Sequence, residues 1–149
     1  MNLNHVKSAN RSRSGFVPKI VTGEKPSPEN IRILLVEDDE MVRALVATVL
    51  REAGYQFVEA ADGLEGHERY GDQGPFDIVI TDILMPRLSG VELAFRLVED
   101  GYDGPVIFIS AYADIARAND HVRQGRWHLI KKPFLPQSVL KTLDMIVGS

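Results

Sequence analysis

Charged and hydroxyl side chains in this sequence fall at the ends of apolar runs, where a sheet would pass its chain to a loop. Glu37-Asp38-Asp39 follows IRILLV, Asp82 follows FDIVIT, Ser110 closes PVIFIS, and Lys131-Lys132-Pro133 stands at the end of WHLIK. Carboxylates, a hydroxyl and an ammonium form the inventory for a divalent cation and a phosphoryl group. Three carboxylates crowded at one rim repel and raise one another's pKa unless a cation intervenes, and a hard, oxygen-preferring Mg²⁺ or Mn²⁺ is the natural partner. A carboxylate can itself attack phosphorus and become an aspartyl phosphate when cations neutralise the transferring group. Asp82 is the most central acid for that role. Lys132 would pair with phosphoryl oxygens, and Ser110 would donate a hydrogen bond to one of them.

Such residues meet only if the elements that carry them lie side by side. From Ile31 onward, short apolar runs alternate with helical segments, the pattern of β–α units wound around a parallel sheet. Runs at 31–36, 55–60, 76–81, 105–110 and 127–131 predict five strands, three of them nearly continuous aliphatic or β-branched stretches suited to burial on both faces. The first helix is predicted over about 39–53, with Met41, Val42, Leu45, Val46, Val49 and Leu50 as its apolar face. A short second helix follows the Asp62-Gly63 turn and ends before Asp72, and a third opens at Ser89-Gly90 and stops at Gly101. The fourth, about 114–124, is the weakest amphipath and hence the least firmly packed; the last spans about 137–147, after Pro136. Open parallel sheets bind ligands outside the carboxyl ends of their strands, which is where the acids, Ser110 and Lys132 fall.

Composition narrows the classes. A length of 149 residues suits one core, and 44% hydrophobic with 26% charged residues is ordinary for a globular protein. No run approaches the roughly 18 apolar residues of a membrane span. With no cysteine there is no disulfide framework, thiolate nucleophile or cysteine zinc site, a composition that suits the cytoplasm. Residues 1–29 mix Ser, Asn, Lys, Arg and Pro without apolar periodicity and lack the apolar core of a secretory signal, so they read as a flexible arm preceding a domain at 30–149. Residues 1–30 hold five basic and two acidic side chains, a charge of +3; the remaining 12 basic and 19 acidic ones give −7, against a nucleic-acid-binding body.

The motifs resemble the receiver domains of two-component response regulators over about residues 31–148. LLVEDDE after the first strand, D-x-x-M-P-x-x-x-G at Asp82, Met85, Pro86 and Gly90, VIFISA at the fourth strand, and KPF at Lys132, Pro133 and Phe134 occur in the family's order and spacing. The resemblance implies a flavodoxin-like, doubly wound five-stranded parallel sheet in the order 2-1-3-4-5. It makes Asp82 the phosphoacceptor and, aligned on Arg43, makes Glu37 and Asp38 the acidic pair, leaving Asp39 outside. Metal ligands would be Glu37, Asp38, Asp82 and the backbone carbonyl of Leu84. Ser110 resembles the switch hydroxyl and Lys132 the family's lysine, whose bond to Pro133 is typically cis. Leu84 and Tyr112 take positions that tune how fast the phosphoryl group is lost.

The function implied by the resemblance is that of a signalling phosphoacceptor with slow self-dephosphorylation, not turnover of a free substrate. A histidine kinase or histidine phosphotransfer protein would supply the phosphoryl group. The face made by the fourth helix, fifth strand and last helix, with Ser110, Leu129 and Pro133 in the switch region, would then shift to control contact with a downstream protein. Direct contact with nucleic acid or membrane is not implied, and the chain would act as a monomer or a phosphorylation-dependent homodimer. It reads as a stand-alone receiver or as the receiver module of a hybrid histidine kinase. One departure stands at Leu129, where many members carry Tyr or Phe, so the aromatic reporter of activation is in question. Trp127, two residues earlier, reads better as packing. Two other classes fit less well. An aspartate-nucleophile phosphohydrolase of the haloacid dehalogenase type would need a second Asp where Leu84 stands, and a flavin-binding flavodoxin would need a hydroxyl- and Gly-rich loop where this chain has three acids.

Overall fold

The computed structural model describes residues 26–111 and 125–148, in which five strands form one parallel sheet ordered β2-β1-β3-β4-β5. The strands are β1 (Arg32–Val36), β2 (Gln56–Ala60), β3 (Ile78–Asp82), β4 (Val106–Ser110) and β5 (Trp127–Lys131). The helices are α1 (Glu40–Glu52), α2 (Gly63–Gln73), α3 (Gly90–Glu99) and α4 (Pro136–Gly148). Tyr112, the helix expected at 114–124 and most of the expected arm lie outside the described residues. Pro28–Asn30, at the end of that arm, form a 3-10 turn beside β2, where the Gln56 amide donates to the Glu29 carbonyl at 2.7 Å. No helix among the described residues is long and apolar enough to cross a membrane.

The strand order reverses between β2 and β3, and with right-handed crossovers that reversal sends helices to both faces. Alternate residues of each central strand then enter different cores. Leu34, Val36, Val79 and Phe108 pack with Val91, Leu93, Ala94 and Leu97 of α3. Ile33, Leu35, Ile78, Ile80, Ile107 and Ile109 pack with Val46, Ala47 and Leu50 of α1 and Val139, Leu143 and Val147 of α4. β3 and β4 are buried throughout, as their unbroken apolar sequences predict; β2 and β5, at the edges, are only partly so.

Several boundaries and faces differ from the sequence reading. In α1 the buried set is Val46, Ala47, Val49 and Leu50, whereas Met41 and Leu45 are exposed. Burial in that helix begins at Val46, so its later turns are the ones that pack on the sheet. α2 has almost no apolar face; its buried residues are Gly63 and Gly66. A Cβ on Gly66 would come within 2.9 Å of Val36, so the missing side chain is what allows the helix to approach β1. α2 also runs on through Asp72 to Gln73, and α4 includes Pro136 at its start, where a missing N–H costs nothing. β3 begins two residues later than the apolar run and takes in Asp82.

Candidate functional site

The chain leaving β1 turns at Glu37, whose N–H still donates to Ala60 of β2 at 3.1 Å. That bond prolongs the ladder by one residue, and Glu37 is buried there, 2% exposed. Asp39 goes elsewhere: its carboxylate accepts from the N–H groups of Met41 at 2.9 Å and Val42 at 3.2 Å and caps α1. Of Glu37, Asp38 and Asp39, the first two are therefore left for the rim. Asp82, the last residue of β3 and 7% exposed, accepts at Oδ1 from the N–H of Ile83 at 2.7 Å. One carboxylate oxygen from each of Glu37, Asp38 and Asp82 lies within 4.8 Å of the others. An all-oxygen set this tight fits a hard divalent cation such as Mg²⁺.

Lys132 enters from the end of β5. Its ammonium lies 3.3 Å from Asp82 Oδ2 and 3.4 Å from Glu37 Oε1. Burial works to lower its pKa, but the carboxylates of Glu37 and Asp82 outweigh it and hold the group above its ordinary value. Glu37 moves the other way for a carboxylate. Burial pushes it up to about 7, with the Asp82 charge and Asp38 adding to the rise and the Asp39 N–H and Lys132 opposing it. Burial is the main cause of that rise, and the neighbouring acids add to it.

Ser110 closes β4 opposite Lys131, and its carbonyl accepts from the N–H of Lys132 at 2.8 Å, so the hydroxyl residue and the lysine share one ladder end. Its side chain is buried. The Lys132–Pro133 peptide is cis, the isomer that the resemblance implies. Leu84 sits two residues past Asp82 with 58% of its surface exposed. Leu129, half-buried, packs against the α2–α3 side core, as does Trp127, whose ring lies edge-on to Phe95 and Phe108 at 5.2 and 5.3 Å. Trp127 starts β5 and so stands at the far end of the sheet from Asp82. Of the site residues read from the sequence, Glu37, Asp38, Asp82, Ser110 and Lys132 are thus brought to one end of the sheet; Leu129 and Pro133 are not part of the acidic cluster.

Two contributors enter the sequence reading only as motif positions, with no structural role. Arg43 donates to the Glu37 carbonyl at 2.7 Å and pairs with Glu59 at 3.3 Å, tying the end of β1 to β2. A cation one turn into the helix after an acidic run is the sequence signal for such a tie. Gly90 is the other: a Cβ there would lie 1.9 Å from the Asp82 carbonyl oxygen, so only glycine lets α3 begin against the end of β3.

Residues 33–144 match the family described as the response regulator receiver domain. The chain is 32% identical over 116 residues to the response regulator receiver protein CpdR of Brucella abortus, covering 78% of this chain and 96% of that protein. It is 30% identical to the chemotaxis protein CheY of Thermotoga maritima, covering 77% and 96%. The structure of the CheX-CheY-BeF3-Mg²⁺ complex from Borrelia burgdorferi superposes with a TM-score of 0.70 at 27% identity, over 78% of this chain and 88% of that one. The sheet order, the acidic rim with its lysine and these likenesses agree, and the chain belongs to the receiver domains of two-component response regulators.

Proposed function

We propose that Asp82 accepts a phosphoryl group from a phosphohistidine, carried by a histidine kinase or a histidine phosphotransfer protein, and that Glu37, Asp38, Asp82 and the carbonyl of Leu84 hold the Mg²⁺, or Mn²⁺, that the transfer needs. The observation that carries this reading is the Asp82 carboxylate itself, grouped with two other acids and 3.3 Å from the Lys132 ammonium. An Asp82 oxygen attacks phosphorus, the P–N bond breaks, and the histidine nitrogen keeps the electron pair and takes up a proton. The cation supplies charge neutralisation of the transferring group. Lys132 is already paired with Asp82 and stays close enough to pair with a phosphoryl oxygen, while Ser110 supplies a hydroxyl from the neighbouring strand.

Addition of about two negative charges at Asp82 then draws Ser110 and its loop inward and shifts the switch region, including Leu129 and Pro133, toward a second arrangement read by a downstream protein. With Leu129, half-buried and packed against the core, at that position, the shift proceeds without the aromatic rotamer of many relatives. Tyr112 and Leu84 tune the lifetime of the phosphoryl group. The domain spans 30–149 and follows a polar arm, and it works in the cytoplasm as a monomer or phosphorylation-dependent homodimer without nucleic acid or membrane.

The test is phosphorylation by a phosphoramidate donor with Mg²⁺, read by intact mass. Wild type is expected to gain one phosphoryl group and Asp82→Asn none. Equal labelling of the two proteins, or none of wild type, overturns the assignment.

A further inference from the structure

The loop from β3 to α3 contains a strained turn. Arg87 has φ 69° and is the only non-glycine residue with positive φ among the described residues. The N–H of Leu88 donates to the Pro86 carbonyl at 2.8 Å, closing a three-residue γ-turn around it. Such turns with a positive central φ are rare and strained, and they persist where the surroundings over-determine them. Here the surroundings belong to α2. The Arg87 guanidinium pairs with Asp62, the N-cap of α2, which also accepts from the N–H of Glu65 at 2.8 Å. The Asp62 side chain is 13% exposed and that of Arg87 63%, so a fixed, mostly buried acceptor holds a cation reaching in from solvent. Gly63 completes the contact, since a Cβ there would come within 2.6 Å of the Leu88 carbonyl oxygen. At its other end the loop is closed by the Gly90 N–H, which donates to Ile83 at 2.8 Å beside Asp82.

We propose that the Asp62–Arg87 ion pair is a strut that keeps the β3–α3 loop in its strained turn and thereby fixes the Leu84–Pro86 backbone beside the acidic cluster, making both residues positioning residues for divalent-cation affinity. Neither side chain touches the ion; they act through the loop. The inference rests on the reading of the Leu84 carbonyl as a metal ligand. A half-exposed ion pair adds little to global stability, whereas the turn it restrains is local, so its loss is felt in the loop before the fold.

The experiment is calorimetric titration of Mg²⁺ into the full chain as wild type, Asp62→Asn, Arg87→Gln, the double variant and Arg87→Lys. Asparagine retains the helix-capping oxygen and removes the charge. Each charge-removing single variant is expected to weaken Mg²⁺ binding by about three- to ten-fold, with no further loss in the double variant and with Arg87→Lys within about two-fold of wild type. Melting temperatures in EDTA should stay within about 3 °C of wild type. Unchanged Mg²⁺ affinity in both single variants, or losses that multiply in the double, overturns the strut. Phosphoryl labelling of the same samples separates the two readings: unlabelled Asp82 with the affinity pattern intact overturns the proposed function alone, and a wild type that binds no Mg²⁺ overturns both.

Discussion

Glu37 carries the sharpest single-residue consequence of the site. In the folded chain burial lifts its pKa from 4.5 to about 7, so between those values the native state holds a proton that the unfolded chain has lost. The stability contribution is fully present below pH 4.5 and is lost as pH rises through about 7. A shift of this size corresponds to a swing on the order of 3 kcal/mol. Urea unfolding without divalent cations should therefore give a free energy that falls from pH 5 to pH 8, and Glu37→Gln should flatten the fall and be the more stable protein at pH 8. An unchanged slope in Glu37→Gln would remove Glu37 as its source. Lys132 adds nothing to that slope, because its pKa is raised above 10.5 and its contribution is lost only as pH climbs past the raised value. What Lys132 does at neutral pH is hold Glu37 and Asp82 together, and Lys132→Met should leave Glu37 harder to ionise, moving the fall in stability to higher pH.

At the scale of elements, the tightest constraint is where α3 starts. With a Cβ on residue 90 placed 1.9 Å from the Asp82 carbonyl, either the helix or the end of β3 must move. Gly90→Ala should cost about 2–4 kcal/mol in urea unfolding and weaken Mg²⁺ binding with it; a loss under about 1 kcal/mol would mean the two elements yield more easily than their packing implies. The glycine was visible in the sequence as part of a motif, but its reason was not, because the clash is with a carbonyl eight residues away in the chain. The same distinction runs through the fold. The β–α alternation, the five strands and their burial were legible because apolar runs and helical spacing are local signals. The face of α1 was misjudged at Met41 and Leu45, since periodicity says which residues share a face but not where along the helix the sheet ends. The weakly apolar α2 depends on Gly66 facing Val36, a fit that no hydrophobic pattern records. In the site, the acidic run after β1, Asp82 and Lys132 were readable from strand ends and the choice of Glu37 and Asp38 from the resemblance, whereas Asp39 as a cap, Arg43 as a tie between β1 and β2, and Arg87 paired with Asp62 are set by side-chain direction or by contacts distant in sequence.

For the molecule as a whole, the acidic rim is a place where function and stability oppose each other. Three carboxylates with one ammonium leave the carboxyl end of the sheet short of positive charge, and two of the three acids are buried. Their mutual repulsion acts on the sheet itself, since Glu37 directly follows β1 and Asp82 ends β3, neighbours in the order. Removing one charge should relieve it, so Asp82→Asn is expected to melt above wild type in EDTA. Adding Mg²⁺ should act on wild type in the same direction: a ligand bound only by the folded state, at about one hundred times its Kd, stabilises by about 2.7 kcal/mol. For a domain of this size that is a rise of roughly 10 °C in Tm. On the proposed reading Asp82→Asn loses a metal ligand and should show a far smaller rise, so the two melting curves approach or cross as Mg²⁺ is added. Thermal melts of both proteins across an EDTA-to-Mg²⁺ series read this directly, and parallel curves, with Asp82→Asn no more stable than wild type in EDTA, would show that charge crowding at the rim does not limit the fold.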